Sequence, residues 1–264
     1  MRFTRAMALA VAAAASGGLI AAAALPASAA GGRYVALGDS YAAGTGAGSY
    51  GSSGTCVRSA KAHPQLWANA HPDVPSKIVT CAGATTANVL NSQVSALTAD
   101  TTMVTISIGG NDVDFAGVMT TCTTGSDSQC VSKVNQSAAN AETALPAKLD
   151  NTYAEIKKRS PNARVIVLGY PRIFASGQVS CSISLAKRTA LNDAADKLNT
   201  IIADRVRRAG FVFEDVRDEF AGHGVCSAAP WIKGVNFFNL VESYHPNATG
   251  QAKGYYQALT KAAG

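Results

Sequence analysis

The sequence predicts an α/β fold: a mostly parallel sheet with helices on both faces. Three observations carry this. Short apolar, β-branched runs recur along the chain, longer stretches with apolar residues at steps of three and four separate them, and several runs end abruptly at glycine.

Taken in order, the first run is 34–37 (Tyr-Val-Ala-Leu), ending at Gly38. Ile78 and Val79 form a short second strand. The third, 103–108, stops at Gly109 and Gly110; the fourth, 165–168, stops at Gly169; the fifth is 211–213. Continuous β-branched runs of this length suit strands covered on both faces. Between them, residues 131–159 carry Ala, Leu and Ile at helical spacing, with Pro146 expected to break or kink the helix. In 185–209, Leu191, Ala195, Leu198, Ile202 and Val206 recur at steps of three and four before Gly210, a stop signal. A last helix is expected to start near Asn247, after Pro246, and to run to about Lys261. His63 and His71 flank a short helical stretch around Trp67 and read as surface or capping residues; His223, between glycines, reads as structural.

Of the 264 residues, 47% are hydrophobic and 15% charged, with a formal net charge of +6. That balance excludes a disordered chain. It also hides a division. Residues 1–30 contain 14 alanines and only two charges, Arg2 and Arg5. A basic start, an apolar stretch over 6–25, the helix breaker Pro26 and the small-x-small pattern Ala27-Ser28-Ala29 predict a secretory signal peptide over 1–30, and a single domain over 31–264. An uncleaved anchor is the rival, and Gly17, Gly18 and the alanines make it a weak span. Without this segment the charge falls to +4 and is dispersed, with no Lys/Arg cluster of the kind that tracks phosphates. Nucleic-acid binding is not expected.

Export makes sense of Cys56, Cys81, Cys122, Cys130, Cys181 and Cys226, since an oxidising compartment favours bridges. About 15 connectivities are open to six cysteines. Proximity favours Cys122 with Cys130. If Cys56 and Cys81 follow neighbouring strands, they pair next, leaving Cys181 with Cys226. A zinc site is disfavoured because no C-x-x-C pair occurs.

In open α/β sheets, sites form beyond the carboxyl ends of the strands. Three turns lie there: Gly38-Asp39-Ser40-Tyr41, Cys81-Ala82-Gly83-Ala84-Thr85 and Gly109-Gly110-Asn111-Asp112. Ser40, at a strand-to-helix turn, is a candidate nucleophile, though Gly-Asp-Ser alone also reads as a turn with an N-cap. His245 is the candidate base, or else a turn histidine before Pro246. Asn111 and Gly83 are candidate donors to a developing oxyanion, as is the Ser40 N–H. Each is weak alone; together, at the correct strand ends, they are specific.

On these residues the chain resembles the SGNH, or GDSL, hydrolase superfamily over essentially all of 31–264, and its secreted actinobacterial lipases and esterases in particular. Residues 38–44 match the first block, Gly83 the second, Gly109 to Asp112 the third and His245 the last. The resemblance implies a three-layer α/β/α sandwich, flavodoxin-like, around a parallel sheet of about five strands. It implies Ser40 as nucleophile, His245 as base, and Ser40, Gly83 and Asn111 as the oxyanion hole. Secreted relatives often carry three sequential disulfides, in agreement with the pairing above. Two positions depart. Tyr41 stands where many members have Leu, and Glu242 occupies the place of the usual aspartate three residues before the histidine. Either Glu242 or the backbone carbonyl of Ser243 is expected to orient His245; the dyad with the carbonyl is preferred.

The expected activity is a secreted serine carboxylic-ester hydrolase, a lipase or esterase, needing no metal or cofactor and working as a monomer that meets lipid surfaces transiently. Phospholipase A1 and carbohydrate O-acetyl esterase activity are the alternatives within the family, and a binding module with a degenerate site is the alternative outside enzymes. Trp231, Phe237, Phe238 and Tyr244 read either as core or as a wall for an acyl chain. Activity is expected to fall at acid pH around the ordinary histidine value of roughly 6.5.

Overall fold

A computed structural model describes residues 32–264; the segment 1–30, and with it the expected signal peptide, lies outside them. Five parallel strands form one sheet in the order β2-β1-β3-β4-β5. They are β1 (Arg33–Gly38), β2 (Ser76–Ile78), β3 (Thr101–Ser107), β4 (Arg164–Leu168) and β5 (Val212–Glu214). β1 lies between β2 and β3, with Val35 opposite both Lys77 and Val104. The strand order reverses at β1, so a crevice opens between the carboxyl ends of β1 and β3.

Tyr34 to Leu37, Val104, Ile106 and Val165 to Leu168 are buried, as strands covered on both faces require. The helices are α1 (Ser40–Ala43), α2 (His63–Ala70), α3 (Thr86–Asn88), α4 (Phe115–Thr124), α5 (Asp127–Arg159), α6 (Leu185–Ala209) and α7 (Tyr256–Ala263). Ser126 and Gln129 form a capping box at the start of α5, and Gly210 closes α6 in the left-handed conformation.

At four places the fold departs from the sequence pattern or adds to it. Pro146 does not break α5, which runs through it for 33 residues. Leu145 before it and Leu149, Tyr153 and Ile156 beyond it stay buried, while Glu142, whose carbonyl loses its helical partner, is exposed to water. α4 is an additional helix over a threonine-rich segment, with Phe115, Val118, Met119 and Cys122 at steps of three and four. His63 is not a surface residue: it is fully buried, stacked on Tyr255 and bonded through Nδ1 to Gln251 at 2.9 Å. The last helix contains a π-type turn, Gly250–Tyr255, ahead of α7. Disulfides join Cys56 to Cys81, Cys122 to Cys130 and Cys181 to Cys226.

Candidate active site

β1 delivers the chain to a tight turn at Gly38. Its φ is +124°, and a Cβ there would lie 2.5 Å from the Ser107 carbonyl oxygen of β3, so only glycine fits. Gln93 braces this turn twice: Gly38 N–H donates to its Oε1 at 2.7 Å, and its Nε2 donates to the Gly38 carbonyl at 2.9 Å. Asp39 then caps α1, accepting from the Tyr41 N–H at 3.0 Å and from the Tyr170 hydroxyl at 2.5 Å. Burial lifts the Asp39 carboxyl to about 7, although both hydrogen bonds pull the other way.

Ser40 is the first residue of α1, where the backbone N–H groups have no partner inside the helix. Its hydroxyl lies 2.7 Å from His245 Nε2. His245 Nδ1 is 2.8 Å from the Ser243 carbonyl oxygen. A carbonyl only accepts, so Nδ1 carries the proton and Nε2 is left as the acceptor for the Ser40 hydroxyl. Ser40 and His245 are 8% and 9% exposed. Burial lowers the pKa of His245 to about 4, against the raising effects of the Ser243 carbonyl and the Glu242 charge. Charging this imidazole means charging it away from water, so it titrates below the ordinary histidine value of roughly 6.5.

Glu242 bonds to neither ring nitrogen of His245. Its carboxylate accepts from the Tyr50 hydroxyl at 2.6 Å, from Asn236 Nδ2 at 3.1 Å and from the Lys233 ammonium. Burial raises its pKa, but these three donors outweigh that and hold it below its ordinary value. The Tyr50 hydroxyl also accepts from the Gly46 N–H at 2.9 Å, so Glu242 ties the loop after α1 to the loop carrying His245. Tyr41 extends the brace: its hydroxyl donates to the Tyr244 carbonyl at 2.8 Å and its ring packs on the imidazole. A leucine could not make that bond.

The donors face the same crevice. Ala82 N–H is spent on the Cys56 carbonyl and Ala84 N–H on the Cys81 carbonyl, each at 3.1 Å. Gly83, between them at φ +77°, has no heavy atom within 4 Å of where a Cβ would stand, and its N–H meets no acceptor among the described residues. One amide hydrogen of Asn111 is held by the Ala84 carbonyl at 3.0 Å, which aims the other away from it. Asp112 locks these two loops together, accepting from the Thr86 N–H at 2.9 Å and its hydroxyl at 2.7 Å.

Two apolar cavities meet at Ser40, Asn111 and Phe115. One is narrow, about 80 Å³, and passes Tyr170 to reach Ala138 and Ala194 between α5 and α6. The other is an open cleft of about 600 Å³ past Gly83 and Met119, walled by Phe237 and Tyr244. Trp231 lines neither: it stacks on His223 at 3.7 Å and packs against Phe220, as a core residue does. Among the described residues no three His, Cys, Asp or Glu side chains are grouped to hold a metal ion.

Gln93, Tyr50 and Tyr170 have no motif around them in the sequence, and Asp112 reads there only as part of a turn. Nothing in the local sequence distinguishes them, since their partners lie tens of residues away.

The GDSL-like lipase/acylhydrolase family matches residues 36–253. Lipase 1 of Streptomyces coelicolor is 49% identical over 262 residues, covering 99% of this chain and 97% of that protein. The crystal structure of phospholipase A1 from Streptomyces albidoflavus superposes with a TM-score of 0.85 at 44% identity, covering 88% of this chain and all of that one. The extracellular lipase of Streptomyces rimosus gives a TM-score of 0.85 at 45% identity, over 88% of this chain and 99% of that one.

Proposed function

The chain belongs to the GDSL-like lipase/acylhydrolase family and is a carboxylic-ester hydrolase, and from that premise we propose that it cleaves lipid acyl esters outside the cell, with Ser40 as nucleophile and His245 as general base. The observation that carries the reading is the relay from the Ser40 hydroxyl to His245 Nε2 at 2.7 Å and from Nδ1 to the Ser243 carbonyl at 2.8 Å.

In this mechanism Ser40 Oγ attacks the ester carbonyl carbon as its proton passes to His245 Nε2. The carbonyl oxygen becomes an oxyanion received by the Ser40 N–H, the Gly83 N–H and the free amide hydrogen of Asn111. Collapse expels the alkoxide, which takes the proton back from Nε2. A water then attacks the acyl-serine with His245 as base again, and a second collapse releases the acid and restores Ser40. The Ser243 carbonyl fixes the tautomer and stabilises the imidazolium as a dipole, in the role a carboxylate has in a triad. Glu242 acts on this relay by holding the loop.

A lipid ester fits because both cavities leading from Ser40 are apolar, so the site accommodates hydrophobic substituents on either side of the carbonyl. Glycerophospholipid is the second reading, favoured by the open cleft, whose mouth has room for a bulky alcohol portion. Export through the segment 1–30 is supported by the three disulfides and by the extracellular lipase of Streptomyces rimosus. The test is a panel of p-nitrophenyl esters of rising chain length with triacylglycerol and phosphatidylcholine. Activity should rise beyond acetate and extend to the lipids; a maximum at acetate with no lipid hydrolysis would refute the substrate class.

A further inference from the structure

Six large apolar side chains stand exposed among the described residues, and four of them fall within five positions: Phe237, Phe238, Leu240 and Val241. Phe237 is 82% exposed and Phe238 fully so. The backbone that presents them is held in place. Asn236 Oδ1 accepts from the N–H groups of Phe238 and Asn239 at 3.2 and 3.3 Å, and the Asn236 N–H donates to the Ser243 hydroxyl at 2.9 Å. The polar atoms of the loop thus bond inward, and the apolar side chains are turned to water. No charged residue lies between Lys233 and Glu242, and those two charges pair with each other.

The position matters as much as the composition. Phe237, Leu240 and Val241 line the open cleft that ends at Ser40 and His245, while Phe238 projects beyond it. An uncharged apolar patch of this kind marks a contact surface, and here it is continuous with the entrance to the site. We propose that the 237–241 loop is a docking element that inserts into the apolar layer of a lipid aggregate and sets the mouth of the cleft against it. This rests on the reading that the substrate is a lipid ester. The lack of net charge makes the attraction apolar, so it requires no anionic lipid and resists salt.

The experiment uses the full domain with Ser40→Ala, which leaves vesicles unconsumed, in flotation with phosphatidylcholine vesicles. The protein should float with them in low and high salt alike. Phe238→Ser in that background should reduce partitioning by about tenfold or more, the effect of keeping one phenyl ring in water, and Phe238→Trp should retain it. In the active enzyme, Phe238→Ser should leave kcat/KM on a water-soluble short-chain ester unchanged. The proposal is overturned if the protein ignores these vesicles, if it binds only anionic ones, if Phe238→Ser floats undiminished, or if Phe238 instead holds two copies together in vesicle-free solution. Flotation by Ser40→Ala together with no phosphatidylcholine hydrolysis by the active enzyme would support docking and count against phospholipid as substrate.

Discussion

Lowering the pH from 6 to 5 should scarcely slow this enzyme, and the reason lies in the burial of His245. In the proposed mechanism the neutral imidazole is the working base, so activity is present above its pKa and lost as pH falls through it. With a pKa of about 4, the neutral fraction goes from about 99% at pH 6 to about 91% at pH 5, a loss near one tenth. An ordinary histidine at roughly 6.5 would go from about 24% to about 3%, an eightfold loss. The window also separates His245 from Asp39, the N-cap of α1, which accepts from the Tyr41 N–H. Its carboxyl titrates at about 7 and is already mostly protonated below pH 6. The assay is kcat/KM on a soluble short-chain ester, following the released acid chromatographically so that the signal does not depend on pH. A near-flat profile from 6 to 5 with an inflection near 4 is expected. A steep decline between 6 and 5, in enzyme that recovers fully on return to pH 7, would refute the argument that burial sets the acid limb.

Asn111→Ala should lower kcat by roughly 100- to 1000-fold with little change in KM, because in the proposed mechanism its free amide hydrogen acts only on the oxyanion; steady-state kinetics with a retained circular-dichroism spectrum checks this. Glu242→Gln should cost no more than about tenfold in kcat/KM, since Glu242 bonds to neither ring nitrogen, whereas loss of an orienting acid costs about 10⁴-fold. Replacing Cys56 and Cys81 together by serine should destabilise the domain by about 3–4 kcal/mol, the loop-closure value for their separation of 25 residues, read as a lower urea midpoint. The same change should lower kcat, because Ala82 beside Gly83 hangs on the Cys56 carbonyl.

Much of this architecture was legible because the hydrophobic pattern speaks for itself. The runs around Val35, Val104, Ile106 and Val167 are buried strands, and the periodic stretch from Leu191 to Val206 is one face of α6. The turns at 38–41, 81–85 and 109–112 stood out because their residues are adjacent in sequence, and the fold brings Ser40, Gly83, Asn111 and His245 to one cleft. Long-range polar pairings carry no such local signal. Asp39 meets Tyr170 across 131 residues and Glu242 meets Tyr50 across 192, so neither the raised Asp39 carboxyl nor the diversion of Glu242 away from His245 could be read in advance. α4 escaped for another reason: its Thr-Thr-Cys-Thr-Thr end has weak helix propensity, and packing on α5 with the Cys122 to Cys130 bridge overrides it. His63 looked like a cap because it precedes a proline; its burial depends on Gln251 and Tyr255, which only the folded chain brings near.

The proposed mechanism makes Ser40 the nucleophile and His245 its base. Active-site titration with a fluorophosphonate, followed by peptide mass mapping, tests it most directly. One covalent adduct per chain is expected, on Ser40, with no labelling and no turnover in Ser40→Ala, and labelling slowed by orders of magnitude in a folded His245→Ala variant. An adduct on another residue, or undiminished ester hydrolysis by folded Ser40→Ala, would contradict it.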